Sequence, residues 1–191
     1  MKHNNLDLVG AKRAIGVLFK SLNIELQDET PERFAKMIYD LTCYHNISNK
    51  EIAKILNKTF EMDNRTDLKN MVLVKNIDAF SFCEHHIALM YDMKISVAYV
   101  PKDFVLGLSK IIRLVDMVCK RLQLQERIGV DIVEIMSILT KSIDVAVYIK
   151  AKHSCVTARG IRNVSSETIT TNFSGVFSED DTIKKSFLNS V

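Results

Sequence analysis

At Met71 the spacing of apolar residues changes, and few architectures accommodate that change. Upstream the period is helical: Leu8, Ala11, Ile15, Leu18 and Phe19 recur on one face, and Phe34, Met37, Ile38 and Leu41 repeat the pattern. Thr30 is the expected N-cap of that second helix, with Pro31 at its first position. Residues 48–57 predict a third, shorter helix opened by a capping box between Ser48 and Glu51. From Met71, MVLVKNIDAFSFCEHHIALMY and KISVAYVP are short and β-rich, bounded by Asn, Asp and Pro. They predict antiparallel strands, with Pro101-Lys102-Asp103 as a turn. Two helical stripes follow, one through Ile111, Leu114, Val115, Val118 and Leu122, the other through Ile128, Ile132, Ile135, Met136 and Leu139. IDVAVYIKAKHSC and ETITTNFSGVF then return to strand texture. Strands and helices come in blocks, which predicts an α+β fold in ββααββ order. The expected division is an N-terminal helical region over 1–70 and one compact unit over 71–191.

With 191 residues the chain is long enough for one domain with a real core. Its 47% apolar and 26% charged content is ordinary for a globular protein, and two prolines and six glycines argue against disorder. No apolar run of about eighteen residues predicts a membrane span. The opening MKHNNLDLVGAKRAIG lacks the apolar stretch of a signal peptide, so a cytoplasmic protein is expected. A formal charge of +3 gives no reason to expect a nucleic-acid partner.

Two short segments concentrate chemistry. FCEHH at 82–86 carries Cys83, His85 and His86; HSC at 153–155 carries His153 and Cys155. Cys83-x-x-His86 can place two ligands on one ion, and Cys155 can add a third from a neighbouring strand, a donor set that suits zinc. Three ligands leave a fourth position for water, whose pKa falls to roughly 7 on such an ion. The competing possibilities are a structural site, for which neither Cys43 nor Cys119 is an obvious fourth ligand, or no site at all. Alternation in a strand would put His153 and Cys155 on one face. It would also point His85 and His86 to opposite faces, so a bend or bulge at 83–86 is required.

GLSKIIR at 107–113 reads as the start of a helix after a strand, with Ser109 as the expected N-cap. Lys110 and Arg113 lie three apart near that end, where cations are unfavourable unless an anion such as phosphate offsets them. Arg159 and Arg162 add positive charge close to the second cluster, and arginine forks onto phosphate oxygens. Gln125 and Glu126 open another helix, and a carboxylate there can accept the paired N–H groups of a guanine edge. A solvated charged face and ordinary helix capping are the plainer alternatives for these two segments.

FCEHH, VAYVPKDFVLGLSKIIRLV, RLQLQERI and HSCVTARGI, in this order and at these separations, resemble the GTP cyclohydrolase I family. ETPERFAKMIYDL resembles that family's N-terminal helical motif and SSETITTNFSGVF its closing strand, so the resemblance spans roughly residues 12–188. It implies a tunnelling fold: an antiparallel four-stranded sheet with helices on one face, plus the N-terminal helical region. It also implies a homo-oligomeric ring, usually a decamer of two stacked pentamers, with active sites between subunits. The hairpin segment IALMYDMKISVAY departs from the family by one additional residue.

By the same resemblance the substrate is GTP, and Cys83, His86 and Cys155 hold Zn2+. His85 and His153 are acid–base groups, Ser109 sits near the ribose, and Glu126 grips guanine with Gln125 beside it. Lys110, Arg113 and Arg159 hold the triphosphate, joined by Lys36 from a neighbouring subunit. The implied reaction begins with attack of zinc-bound hydroxide on guanine C8, releases formate and ends at 7,8-dihydroneopterin triphosphate, the first step of pterin and folate-type biosynthesis. Histidine suits the proton shuttle because its ordinary pKa, about 6.5, allows both protonation states at neutral pH. One rival is a pterin synthase of the same fold, which would use three histidines on zinc. The other is a catalytically inactive zinc- or nucleotide-binding member.

Overall fold

The computed structural model describes residues 7–57, 59–61, 70–102 and 104–191. Asp103 of the expected turn lies outside them. The chain divides into two compact units, Met1–Cys43 and Tyr44–Val191.

In the first unit, α1 (Leu8–Ser21) is capped by Asp7, whose Oδ1 accepts from Gly10 N at 2.8 Å. It packs against α2 (Thr30–Thr42) through the edge-on ring pair Phe19–Phe34, with centroids 6.1 Å apart. Thr30 is the first helical residue rather than the N-cap. Arg33 N already donates to Glu29 O, which starts the helix one residue earlier.

The second unit begins before position 71, because α3 (Asn49–Leu56) belongs to it. Its buried Ile52, Ala53 and Leu56 join the same core as the sheet. The expected capping box is present: Ser48 Oγ accepts from Glu51 N, and Ser48 N donates to Glu51 Oε2 at 2.8 Å. β1 (Thr59–Glu61) pairs antiparallel with β4 (Phe104–Leu106) as a small separate sheet.

The main sheet has β2 (Val72–Cys83), β3 (Ala88–Tyr99), β6 (Val145–His153) and β7 (Thr168–Phe173) in antiparallel order. A fifth strand, β5 (Leu122–Gln123), lies parallel to the end of β2, so the order is β5-β2-β3-β6-β7 and the sheet is mixed. This corrects the expected four-stranded antiparallel sheet. The short link between α4 (Leu108–Cys119) and α5 (Gln125–Thr140) runs along the edge of β2 and occupies its backbone groups, with Glu84 N donating to Gln123 O at 3.0 Å.

α4 and α5 cover one face of the sheet, and α3 packs against both helices. Ile111, Leu114, Val118, Ile128, Ile132 and Ile135 are fully buried there against Ile95, Val97 and Val147. Each such side chain contributes on the order of 1.5–3 kcal/mol. Helices were expected on one face only, but the C-terminal α7 (Val176–Glu179) and α8 (Asp181–Leu188) pack on the other. Ala98 and Ala146 face that side, and Phe177 and Phe187 fill the room these small residues leave.

Two β-bulges set the phase of the hairpin. Val74 pairs with Val97 and Ile77 with Ile95, so Lys75 and Asn76 together face Ser96, with Asn76 at φ 58°. Ala79 pairs with Met93 and Ser81 with Met90, so Tyr91 and Asp92 oppose Phe80, with Asp92 at φ 50°. Among the described residues, no helix is long and apolar enough to cross a membrane.

Candidate active site

Cys83 is the last residue of β2, buried between Ala88 of β3 and Gln123 of β5. Ser81 Oγ donates to Cys119 O at 2.7 Å and ties this strand end to the end of α4. The chain then leaves the strand and turns through 84–87. His85 and His86 therefore occupy a tight turn, which supplies the bend that strict alternation lacked. Ile87 closes the turn at φ 50°, a costly conformation for a β-branched residue. Both histidines are exposed, with ring centroids 6.4 Å apart and planes at 75°. His85 Nδ1 lies 3.9 Å from Cys83 Sγ.

The turn is braced from α5. Arg127 pairs with the Glu84 carboxylate and also donates to Gln123 Oε1 at 2.7 Å and Leu122 O at 3.2 Å. No local spacing in the sequence signals that pairing, and the sequence reading assigned Arg127 no role.

β6 ends at His153, and Cys155 lies in a single helical turn, α6 (Ser154–Thr157). His153 and Cys155 are therefore not same-face neighbours on one strand, as alternation had suggested. Ser154 Oγ donates to Leu89 O at 2.8 Å, and Tyr91 Oη donates to Thr157 Oγ1 at 3.0 Å, pinning α6 to β3. This brings Cys155 against Cys83. Burial raises the Cys155 thiol pKa, the adjacent Cys83 sulfur raises it further, and the nearby Arg159 guanidinium opposes both. Neither cysteine is in a disulfide. Among the described residues, no group of three or more His, Cys, Asp and Glu is drawn together as a metal cluster. One chain thus joins two of the three expected ligands, Cys83 and Cys155, without completing the set with His86.

His153 is half-buried beside α5. Its Nε2 lies 2.7 Å from Gln125 Oε1. Burial lowers its pKa, and the Glu126 carboxylate pulls in the opposite direction, which places Glu126 close by. Glu126 is exposed on the first turn of α5, whereas Gln125 is only 1% exposed.

The expected phosphate group divides in two. Arg159 lies beside the thiols, but Ser109, Lys110 and Arg113 lie on the first turns of α4. There the N-cap is Gly107, not Ser109, and Lys110 N donates to Gly107 O at 2.8 Å. The first turn carries no acidic residue and no side-chain cap. Just upstream, Leu106 N donates to Tyr99 Oη, and Tyr99 pairs with Val72 at the hairpin end remote from Cys83. α4 returns over its 12 residues, about 18 Å, to the Cys83 end. A single copy therefore keeps this cationic helix start apart from the thiols. Lys36 is in the first unit, paired with Glu32 at 2.7 Å.

The profile of the GTP cyclohydrolase I family matches residues 12–191. The chain belongs to the GTP cyclohydrolase I family. Three relatives named GTP cyclohydrolase 1 agree with this. The one from Ruminiclostridium cellulolyticum is 55% identical over 154 residues, 80% of this chain and 79% of the relative. Those from Clostridium beijerinckii and Clostridium acetobutylicum are 50% and 51% identical, over 84% and 81% of this chain and 82% and 80% of their own lengths. A solved structure described as the archaeosine synthase QueF-Like in the apo form aligns with TM-score 0.46 and 23% identity. It covers 55% of this chain and 93% of its own. Every expected site residue, from Lys36 to Arg159, falls inside the range matched to GTP cyclohydrolase I.

Proposed function

We propose that the chain is a zinc-dependent GTP cyclohydrolase I that converts GTP and water to formate and 7,8-dihydroneopterin triphosphate. The observation that carries this reading is the meeting of the Cys83 and Cys155 thiols where β2 ends and α6 begins, with His85 and His153 at the same end of the sheet. Two thiols with an adjoining imidazole-bearing turn match the soft donor set zinc takes. Cys83, Cys155 and His86 would hold the ion. When bound there, it supplies a water acidic enough to be a nucleophile at neutral pH.

The remaining steps fall to the chain's own side chains. Glu126 accepts the paired N–H donors of the guanine edge and fixes the ring. Water adds at C8, the C8–N9 bond breaks, and His85 delivers a proton to the departing ring nitrogen. A second water cleaves the resulting formamide and releases formate. The ribose then opens and rearranges to a ketone, with His153 and Ser109 moving the protons. Closure of the freed amine onto that ketone expels one water, so the net consumption is one. Lys110, Arg113, Arg159 and Lys36 hold the triphosphate through charge-assisted hydrogen bonds.

A complete site needs both ends of the sheet, which supports a homo-oligomer whose sites lie between copies. A decameric ring of tunnelling-fold subunits is the proposed form.

The test is direct. Purified protein loaded with zinc should release one formate per GTP and yield a pterin that fluoresces after oxidation. His85→Ala should keep its zinc and lose turnover by about 10²-fold or more. Cys155→Ala should lose both. A Cys155→Ala protein with full zinc content and activity would show the ligand assignment to be wrong.

A further inference from the structure

Gln125 stands next to Glu126, yet its amide is already fully engaged. Its Nε2 donates to Thr168 O at 3.0 Å, and at 3.3 Å to Ile149 O and to Thr170 Oγ1. Two of these acceptors are backbone carbonyls, which cannot donate, so the amide has only one consistent orientation. The nitrogen faces β6 and β7, and Oε1 faces His153 Nε2 at 2.7 Å. A carbonyl oxygen only accepts, so that contact requires a proton on Nε2. Neutral His153 is therefore the Nε2–H tautomer, and Nδ1 carries the lone pair.

We propose that Gln125 is a positioning residue that fixes the tautomer and ring orientation of His153, and that it makes no direct contact with GTP. This rests on the reading of His153 as an acid–base group. The bond from Nε2–H to Oε1 persists whether Nδ1 is bare or protonated. Proton exchange with substrate thus runs through Nδ1 without a ring flip. A neutral amide, anchored to two strands, does this without adding charge to the site.

Two measurements test the proposal. In the first, Gln125→Met should lower kcat by about tenfold or more, within the roughly 10²–10⁴-fold that a whole acid–base group contributes. KM for GTP should stay within about twofold. Added to His153→Ala, the same substitution should cause no further loss, because it acts through the missing ring. A raised KM with unchanged kcat, or losses that multiply in the double variant, would overturn the proposal. Full turnover by His153→Ala would also overturn it, by removing the role it depends on.

The second measurement needs no folded Gln125 variant. In wild-type protein labelled with 15N-histidine, the resonance that disappears in His153→Asn should report a protonated Nε2 and a bare Nδ1 in the neutral ring. The reverse tautomer refutes the inference, even in an enzyme that turns over GTP normally. Conversely, a protein with the expected tautomer but no formate release would leave the geometry standing and refute the catalytic role.

Discussion

Cys119 and Cys155 show how differently the chain can surround the same side chain. Cys119 is sealed at the end of α4, where burial, with Asp116 adding to it, pushes its thiol up to about 12. A thiol that keeps its proton is a poor nucleophile and a poor ligand. Iodoacetamide at pH 8 should leave Cys119 unlabelled in the folded protein and label it after denaturation, as read by peptide mass spectrometry. Labelling of Cys119 at the rate of an exposed cysteine would contradict the burial. The sequence placed Cys119 on an apolar helical stripe, and its burial at the end of α4 agrees with that placement. The same reasoning misjudged Ser109. A serine before an apolar helical run reads as an N-cap, but the tight approach from β4 makes Gly107 the cap and moves Ser109 into the first turn.

At the scale of elements, α7 is attached to β6 through one small hub. Gly175 has φ +56°, and a Cβ there would lie 2.1 Å from Asp144 Oδ1 and 3.0 Å from Asp144 Cα and Ile143 O. The last two are backbone contacts that cannot rotate away. Gly175→Ala should cost at least about 2 kcal/mol in denaturant unfolding. The same hub predicts a pH dependence. Burial of Asp144 opposes ionisation, but the Val176 N–H, Lys102 and Ser142 outweigh it and hold the carboxyl below its ordinary 3.8. A depressed folded pKa gives stability that is present above the unfolded value and lost as pH falls through the folded one. Thermal stability should therefore drop as pH is taken below about 4. Asp144→Asn should be less stable at pH 7, by about 1–3 kcal/mol, and show a shallower acid slope. An unchanged slope would mean that other carboxylates carry the acid sensitivity. The helical stripes and the capping box were legible because they depend on neighbours a few residues apart. The parallel β5, the second helical face and the braces on the histidine turn depend on distant partners, and no local spacing encodes them.

At the scale of the whole molecule, the division of the expected site between two ends of the sheet makes a prediction about assembly. Co-expressed His153→Ala and Lys110→Ala/Arg113→Ala chains, each inactive alone, should recover roughly a quarter of wild-type activity in mixed oligomers, since random pairing restores one site in four. No recovery after confirmed co-assembly would argue that each site is built within a single copy. The bulges at Asn76 and Asp92 have a related consequence for length. Val72 and Val74 pack toward the helices at even positions, while Ile77, Ala79 and Cys83 do so at odd ones; Met93 and Met90 show the same switch on the neighbouring strand. Each strand is thus spliced from two reading frames. Excising the single residue Asn76 would leave a hairpin still able to form, but with either its valines or its terminal sulfur rotated to the wrong side. Chain length along β2 is consequently as restricted as the identity of the residue at its end.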